Sequence, residues 1–382
     1  MSFAAPDQRV ERRRTGSTKW DRFPDDVLPL WVADMDFPSP PSVVAALESR
    51  AAHGVYGYQS VQEPFVDALR GHLLSRYAFD VSPDWLVWLP GVVSGLNLAC
   101  EAYASPGDEV LTIAPAYPPF LRAPSNQGRR LVTVGAADID GRWRLPMDEL
   151  EEAVTDRTRL LLLCHPHNPL GRVWDGEELR SIVALCERRD LVLCSDEIHC
   201  DLVLDDMTHE PVATLGPAAA ARTVTFMSPS KTFNLPGLNF AFAVIPDEEL
   251  RRRFCAAAEG LLPHPGCFAV AAAEAAYRDG EAWLSDLLDY LRANRELLER
   301  FVAESMPATR MNHVEGTYLG WLDVRAAGLD DPWDACLRAG VALGDGVRFG
   351  APGFLRLNFA CWRSTLAEAL QRLRPVLSER RT

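Results

Sequence analysis

Between Trp85 and Ile245 the chain alternates short runs of Leu, Val and Ile with amphipathic helical stretches, and this alternation narrows its fold most. The runs Trp85–Leu89, Glu109–Ile113, Leu131–Val134, Arg159–Cys164, Leu191–Ser195, Thr223–Phe226 and Phe240–Ile245 read as strands. Between them lie helices such as Asp175–Arg189, which opens on acidic residues and closes on basic ones, as the helix dipole favours. Strands that are apolar throughout, separated by helices, predict an α/β fold of three layers: a mostly parallel seven-stranded sheet covered on both faces. From about Glu281 the pattern changes. A long helix (Trp283 to about Glu304) leads into the strand-rich stretches "GTYLGWLDV" and "GFLRLNFA" and a final helix, a second and smaller α+β unit. Residues 1–45, with three prolines within Phe37–Pro41, read as an arm joining that small unit. The expected division is thus arm 1–45, large domain 46–282 and small C-terminal domain 283–382.

Composition excludes several classes. At 382 residues and 48% apolar, the chain is long enough for more than one core. A formal charge of -14 argues against a nucleic-acid or anionic-membrane partner, since each needs a basic face. The nine cysteines form no C-x-x-C pair, so buried thiols in a reducing compartment are expected. The polar N-terminus and the lack of a bilayer-length apolar run point to a soluble, cytoplasmic protein.

In open parallel sheets the chemistry lies beyond the carboxyl ends of the strands. After Arg159–Cys164 comes "HPHNPLGR", where prolines and a glycine hold Asn168 in a stiff turn. On its own, an Asn-Pro pair is ordinary turn punctuation. After Leu191–Ser195 comes "DEIHCD", which puts Asp196 in apolar surroundings that need a compensating cation. His165, His167, His199, Cys194 and Cys200 lie nearby, but no spacing matches a zinc pattern, and no metal is expected. After Thr223–Phe226 comes "MSPSKTFNLPGLNF". The chain has only two lysines, Lys19 and Lys231, among 39 basic residues, and Lys231 precedes Phe233, Leu235 and Leu238. A snorkelling lysine is the bland reading of this segment alone; burial would instead depress its pKa and leave a nucleophilic amine.

An amine, a carboxylate and a fixed amide at one sheet edge are together what pyridoxal phosphate requires, the carboxylate keeping the pyridine nitrogen protonated. The stretch "LPGVVSG" at 89–95 opens a helix at Val92 and offers free backbone N–H groups to the phosphate, with Ser228 and Ser230 beside the lysine.

The ordered motifs "LPLWVADMDFPSP", "GVYGYQ", "PAYPPF", "HNPLGRVW", "SDEIHCDL", "SKTFNLPGL", "EGTYLGWLD" and "FLRLNFA" span nearly the whole chain. On them the sequence resembles fold-type I pyridoxal-phosphate enzymes of the aminotransferase class I/II superfamily, and within these the MalY/PatB-like carbon–sulfur lyases. The resemblance implies Lys231 as the Schiff-base lysine, Asp196 as the pyridinium partner and Asn168 as donor to the phenolate oxygen. It puts His199 where many aminotransferases have a tyrosine with that same task, and Tyr117 where an aromatic stacks on the ring. It implies that the N–H groups of Val92 and Val93, with Ser228 and Ser230, hold the phosphate. Tyr58 would reach that phosphate from the second subunit of a homodimer and take part in catalysis there. Arg356 would clamp the substrate carboxylate, with Asn168 and Ala33 beside the substrate. Four positions depart from the pattern: Gln59 for threonine, Ser-Pro-Ser before the lysine, Pro236 for a small residue, and His165 for asparagine or serine.

The activity so implied is α,β-elimination of an S-substituted L-cysteine to thiol, pyruvate and ammonia. Transamination uses the same residues. A lyase or decarboxylating oxidative deaminase of secondary metabolism, acting on a bulky cysteine conjugate, is a third reading. A regulatory binding protein is a fourth, which the intact set of site residues disfavours.

Overall fold

The computed structural model describes residues 9–379. Its main sheet contains β1 (Leu86–Leu89), β2 (Glu109–Ala114), β3 (Arg130–Gly135), β4 (Thr158–Cys164), β5 (Val192–Asp196), β6 (Thr223–Met227) and β7 (Ala241–Val244). The spatial order is β1-β7-β6-β5-β4-β2-β3, parallel throughout except that β7 runs antiparallel to both of its neighbours. The link from β6 to β7 holds only a four-residue helix and a 3₁₀ turn, too little to cross the sheet face as a parallel connection does.

Helices cover both faces because β4 feeds both. Leu160 and Leu162 enter one core with Val110, Phe226 and the helix Val92–Tyr103, while Leu161 and Leu163 enter the other with Leu179, Ile182 and Trp174. All four leucines are fully buried, as the two-residue period of a centrally placed strand demands. The helix Gly176–Arg188 starts one residue later than the charge pattern suggests, because Asp175 is its N-cap and forms a capping box with Glu178. Gly95 lets the helix Val92–Tyr103 lie on the sheet: a Cβ there would sit 2.7 Å from Phe226 Cε1.

A second sheet is antiparallel throughout: β8 (Arg310–Met311), β9 (Leu319–Asp323), β10 (Gly344–Asp345) and β11 (Phe354–Asn358), in the order β8-β9-β11-β10. The 25-residue helix Glu281–Ser305 and the helix Arg363–Leu377 pack on it. Leu28–Pro29 pairs in parallel with Val341–Ala342, and Met35 and Phe37 enter the same core. The segment that follows this pair therefore runs beside β11 and faces the carboxyl ends of β4 and β5. No helix among the described residues is long and apolar enough to cross a membrane.

Candidate active site

Beyond β4, β5 and β6 opens a cavity of about 920 Å³. Its wall brings together Ala33, Val92, Val93, Tyr117, Asn168, Asp196, His199, Ser228, Ser230, Lys231 and Arg356, which come from positions 33 to 356 of the chain. Tyr58 is outside it. Tyr58 is 99% exposed, touches only His264 edge-on, and sits in a stretch without regular structure. Of the four departures from the motif pattern, Pro236 borders the cavity, whereas His165 does not: it is fully buried and stacks on His209 at 4.4 Å. His167 also turns away, its Nε2 lying 2.8 Å from the Pro115 carbonyl.

Asp196 closes β5, and its Oδ1 accepts the Ile198 N–H at 3.1 Å. Burial lifts its carboxyl to about 7, with neighbouring Glu197 adding to the rise and Lys231 opposing it. A cation placed in the cavity against the other oxygen would relieve that cost. Asn168 Oδ1 accepts from Arg356 at 3.0 Å, leaving its two amide hydrogens uncommitted among the described residues. His199 Nδ1 is buried without a partner, and burial pushes the ring well below its ordinary pKa, so it is neutral. Arg356 reaches past Asn168 to the Trp31 carbonyl at 2.9 Å and lies over the Phe349 ring at 4.7 Å. Burial pulls it down to about 10, so it stays charged at neutral pH, and no carboxylate among the described residues pairs with it.

Lys231 lies within the four-residue helix Pro229–Thr232, and its Nζ donates to the Ala33 carbonyl at 2.6 Å. Burial brings the amine down to about 8; Asp34 and Asp196 push it up and Arg356 pushes it down. At neutral pH roughly a tenth of it is already unprotonated. The N-terminus of helix Val92–Tyr103 has no side-chain cap, so its first N–H groups face the cavity. Opposite, the Ser228 hydroxyl lies 2.6 Å from the Phe240 carbonyl and accepts the Ser230 N–H at 3.0 Å. Ser228 Oγ also lies 2.8 Å from Ser230 Oγ, so the two hydroxyls form one linked polar group on the cavity wall.

Residues that motif reasoning passed over hold this geometry together. Asn234 accepts the Met35 N–H at 3.0 Å and donates to the carbonyls of Met35 (3.1 Å) and Phe37 (2.8 Å). Asn358 donates to the carbonyls of Val32 and Asp34, each at 2.6 Å. Asp201, fully buried, accepts from Thr232 beside the site lysine at 2.9 Å, pairs with His72 at 3.0 Å and Arg76 at 3.0 Å, and accepts a hydrogen bond from the Tyr77 hydroxyl. Burial alone would raise its pKa, but His72 and Arg76 outweigh that and hold it below the usual carboxylate range.

Lys19, the other lysine, is completely buried and bonds Asp36 Oδ1 at 3.0 Å and the Asp34 carbonyl at 3.2 Å. It thus fixes the segment that presents Ala33 to Lys231. Its rarity in an arginine-rich chain was the one signal in the sequence. Replacing Lys19 with methionine strands two carboxylates with Arg12 as their remaining cation, and is expected to cost about 3 kcal/mol of stability. A urea midpoint within error of the parent would show the pair to be dispensable. Lys19→Arg is expected to lose nearly as much, because the enclosed site fits an ammonium.

Residues 25–373 match the family model for aminotransferase class I and II. Cystathionine beta-lyase PatB of Bacillus subtilis is 38% identical over 97% of this chain and 99% of its own length. The crystal structure of OvoB superposes with a TM-score of 0.95 at 42% identity, covering 98% of this chain and 99% of that one. Cystalysin from Treponema denticola, solved with a pyridoxal 5'-phosphate cofactor, gives 0.93 at 31% identity, with 97% of each chain covered.

Proposed function

This chain belongs to the aminotransferase class I and II family, and from that premise we propose that it is a pyridoxal-phosphate-dependent carbon–sulfur β-lyase acting on S-substituted L-cysteines. The balanced reaction is thioether plus water to thiol, pyruvate and ammonia. The single observation that carries the reading is the convergence of Lys231, Asp196, Asn168 and Arg356 on one cavity whose opposite wall is an uncapped helix N-terminus.

The donor set fits the cofactor. A carboxyl lifted to about 7 by burial seeks a cation such as a pyridinium, and the uncapped helix with Ser230 suits a phosphate. Asn168 has amide hydrogens to give to a phenolate oxygen. When bound, pyridoxal phosphate supplies an aldehyde carbon for amines and a ring that takes up the electron pair released at the substrate Cα.

The protein's own residues do the rest. Lys231 would hold the cofactor through its amine, and as a free amine it would take up the proton from the substrate Cα. Asp196 would keep the proton on the cofactor's ring nitrogen. Arg356 would take the substrate α-carboxylate in a bidentate grip and so orient the substrate in the cavity it shares with Lys231. Arg356 now spends its donors on Asn168 and Trp31, so a substrate carboxylate replaces neutral partners with a charged one.

The exposed side chains Val55, Tyr56 and Tyr58, with Leu261 nearby in sequence to His264, support a homodimer in which Tyr58 serves the neighbouring cavity. Purified protein reconstituted with pyridoxal phosphate is expected to sediment as a dimer, absorb as a protonated imine, and release pyruvate and thiol in equal amounts from cystathionine. Accumulation of the pyridoxamine form with an amino donor, and no pyruvate, would instead identify a transaminase.

A further inference from the structure

One backbone carbonyl serves two side chains at the site. The Ala33 oxygen accepts from Lys231 Nζ at 2.6 Å and from the Tyr318 hydroxyl at 3.1 Å. A carbonyl oxygen has two lone pairs, so these two donors fill it. Tyr318 is fully buried, is not among the residues lining the cavity, and meets His199 edge-on at 5.9 Å. Burial raises its phenol well above the ordinary value, so the hydroxyl stays a donor throughout the range in which Lys231 titrates.

The backbone is shaped to put that hydroxyl there. Thr317, directly before it, has a φ of 71°, a left-handed conformation that a β-branched residue adopts only under strain. Its N–H donates to the Leu202 carbonyl at 2.8 Å and its hydroxyl accepts the Leu319 N–H at 3.2 Å, which holds the turn. The segment carrying Ala33 is fixed without Tyr318. Asn358 donates to the carbonyls on either side, those of Val32 and Asp34, while Asn234 holds Met35 and Lys19 also reaches the Asp34 carbonyl. The strained turn therefore brings one hydroxyl to an oxygen already in place, and that oxygen is the one the site lysine uses.

Sharing the oxygen changes what the lysine experiences. An ammonium gains more from a carbonyl than a neutral amine does, so the bond to Ala33 favours the charged form. The Tyr318 hydrogen draws on the same oxygen and brings the positive end of its O–H dipole toward the ammonium. Both effects favour the neutral amine. Besides burial, the largest influence, the groups facing the amine are Asp34 and Asp196, which favour its charge, Arg356, which opposes it, and His199, whose ring is neutral. Asp34 is itself paired with Arg12 and Lys19.

We propose that Tyr318 is a positioning residue for Lys231: through the shared Ala33 carbonyl it weakens the hold on the protonated amine and keeps the free base available whenever that amine is not joined to the cofactor. The inference deepens the reading above and rests on it for the use made of the amine.

The chain has only two lysines, so both can be read individually. The full chain, freed of cofactor and labelled with lysine carrying carbon-13 at Cε, gives one NMR signal for Lys231 and one for Lys19, assigned by the loss of the former in Lys231→Ala. The Lys231 signal of the parent is expected to titrate with a midpoint at about 8. Tyr318→Phe removes one oxygen atom and keeps the ring. In that variant the midpoint is expected to rise by about half a unit to one unit, a roughly three- to tenfold loss of free amine at neutral pH. Capture of pyridoxal phosphate at neutral pH is expected to slow by the same factor. The Lys19 signal is expected to stay in place, because the segment it bonds is pinned without Tyr318. A Lys231 midpoint that is unmoved or lower, or a Lys19 signal displaced with it, would overturn the proposal. Addition of pyridoxal phosphate to the labelled parent separates this inference from the reading beneath it. A Lys231 signal that ignores the cofactor, with the midpoint raised in Tyr318→Phe, would retain the tuning and remove the cofactor role; a signal that responds to the cofactor, with the midpoint unmoved in Tyr318→Phe, would do the reverse.

Discussion

Lys231→Ala protein is expected to release pyruvate from cystathionine about 10⁴-fold more slowly than the parent. On the proposed function, that amine would have two tasks: holding the cofactor covalently and moving the Cα proton. Borohydride reduction of the parent, followed by digestion, is expected to leave a pyridoxyl group on the peptide carrying Lys231 and on no other. The second lysine is an internal control, since Lys19 is sealed behind Asp34 and Asp36 and does not reach the cavity wall. The amine also sets a pH dependence. Burial holds it at about 8, and only the unprotonated form attacks an aldehyde. Cofactor capture by the cofactor-free protein is therefore expected to quicken about tenfold per pH unit on approaching pH 8, then level off above it. A capture rate that is flat from pH 6 to 9 would mean that another group, or no titrating group, controls it.

Asp196→Asn is expected to slow turnover on the order of 10³-fold while leaving the cofactor attached. The amide keeps the shape and can still accept the Ile198 N–H, but it carries no negative charge to hold a proton on the ring nitrogen. The absorbance of the attached cofactor is then expected to persist with altered pH response while pyruvate release collapses. Activity within tenfold of the parent would remove Asp196 from the assigned role. The contrast with Lys231→Ala is diagnostic, because one substitution abolishes attachment and the other leaves attachment without turnover.

Much of the site was legible because strand endings were. Arg159–Cys164, Leu191–Ser195 and Thr223–Phe226 are rich in apolar residues; "HPHN" and "DEIH" follow the first two directly, and "SPSK" follows the third after Met227. A side chain one to five residues past a buried parallel strand has little choice of location, so Asn168, Asp196 and Lys231 fall at one edge whatever the rest of the chain does. The same reasoning reached Val92, since a glycine before an apolar helix leaves its first N–H groups uncapped. The antiparallel sense of β7 was less accessible, because an apolar run has no direction of its own.

Asn234 was passed over although it stands three residues from Lys231, because its partner Met35 lies 199 positions away. Lys19 and Asp201 share that difficulty: each looks like an ordinary surface charge until the chain folds over it.

By itself the sequence determined which chemical groups this protein possesses and that a parallel sheet gathers several at one edge, since strand period and strand endings are local properties. Only the tertiary structure decided that the Ala33 carbonyl meets Lys231, that burial brings its amine to about 8, and that Arg356 reaches both Asn168 and the Trp31 carbonyl. Desolvation and the pairing of distant backbone carbonyls come from packing, and no window of neighbouring residues contains them.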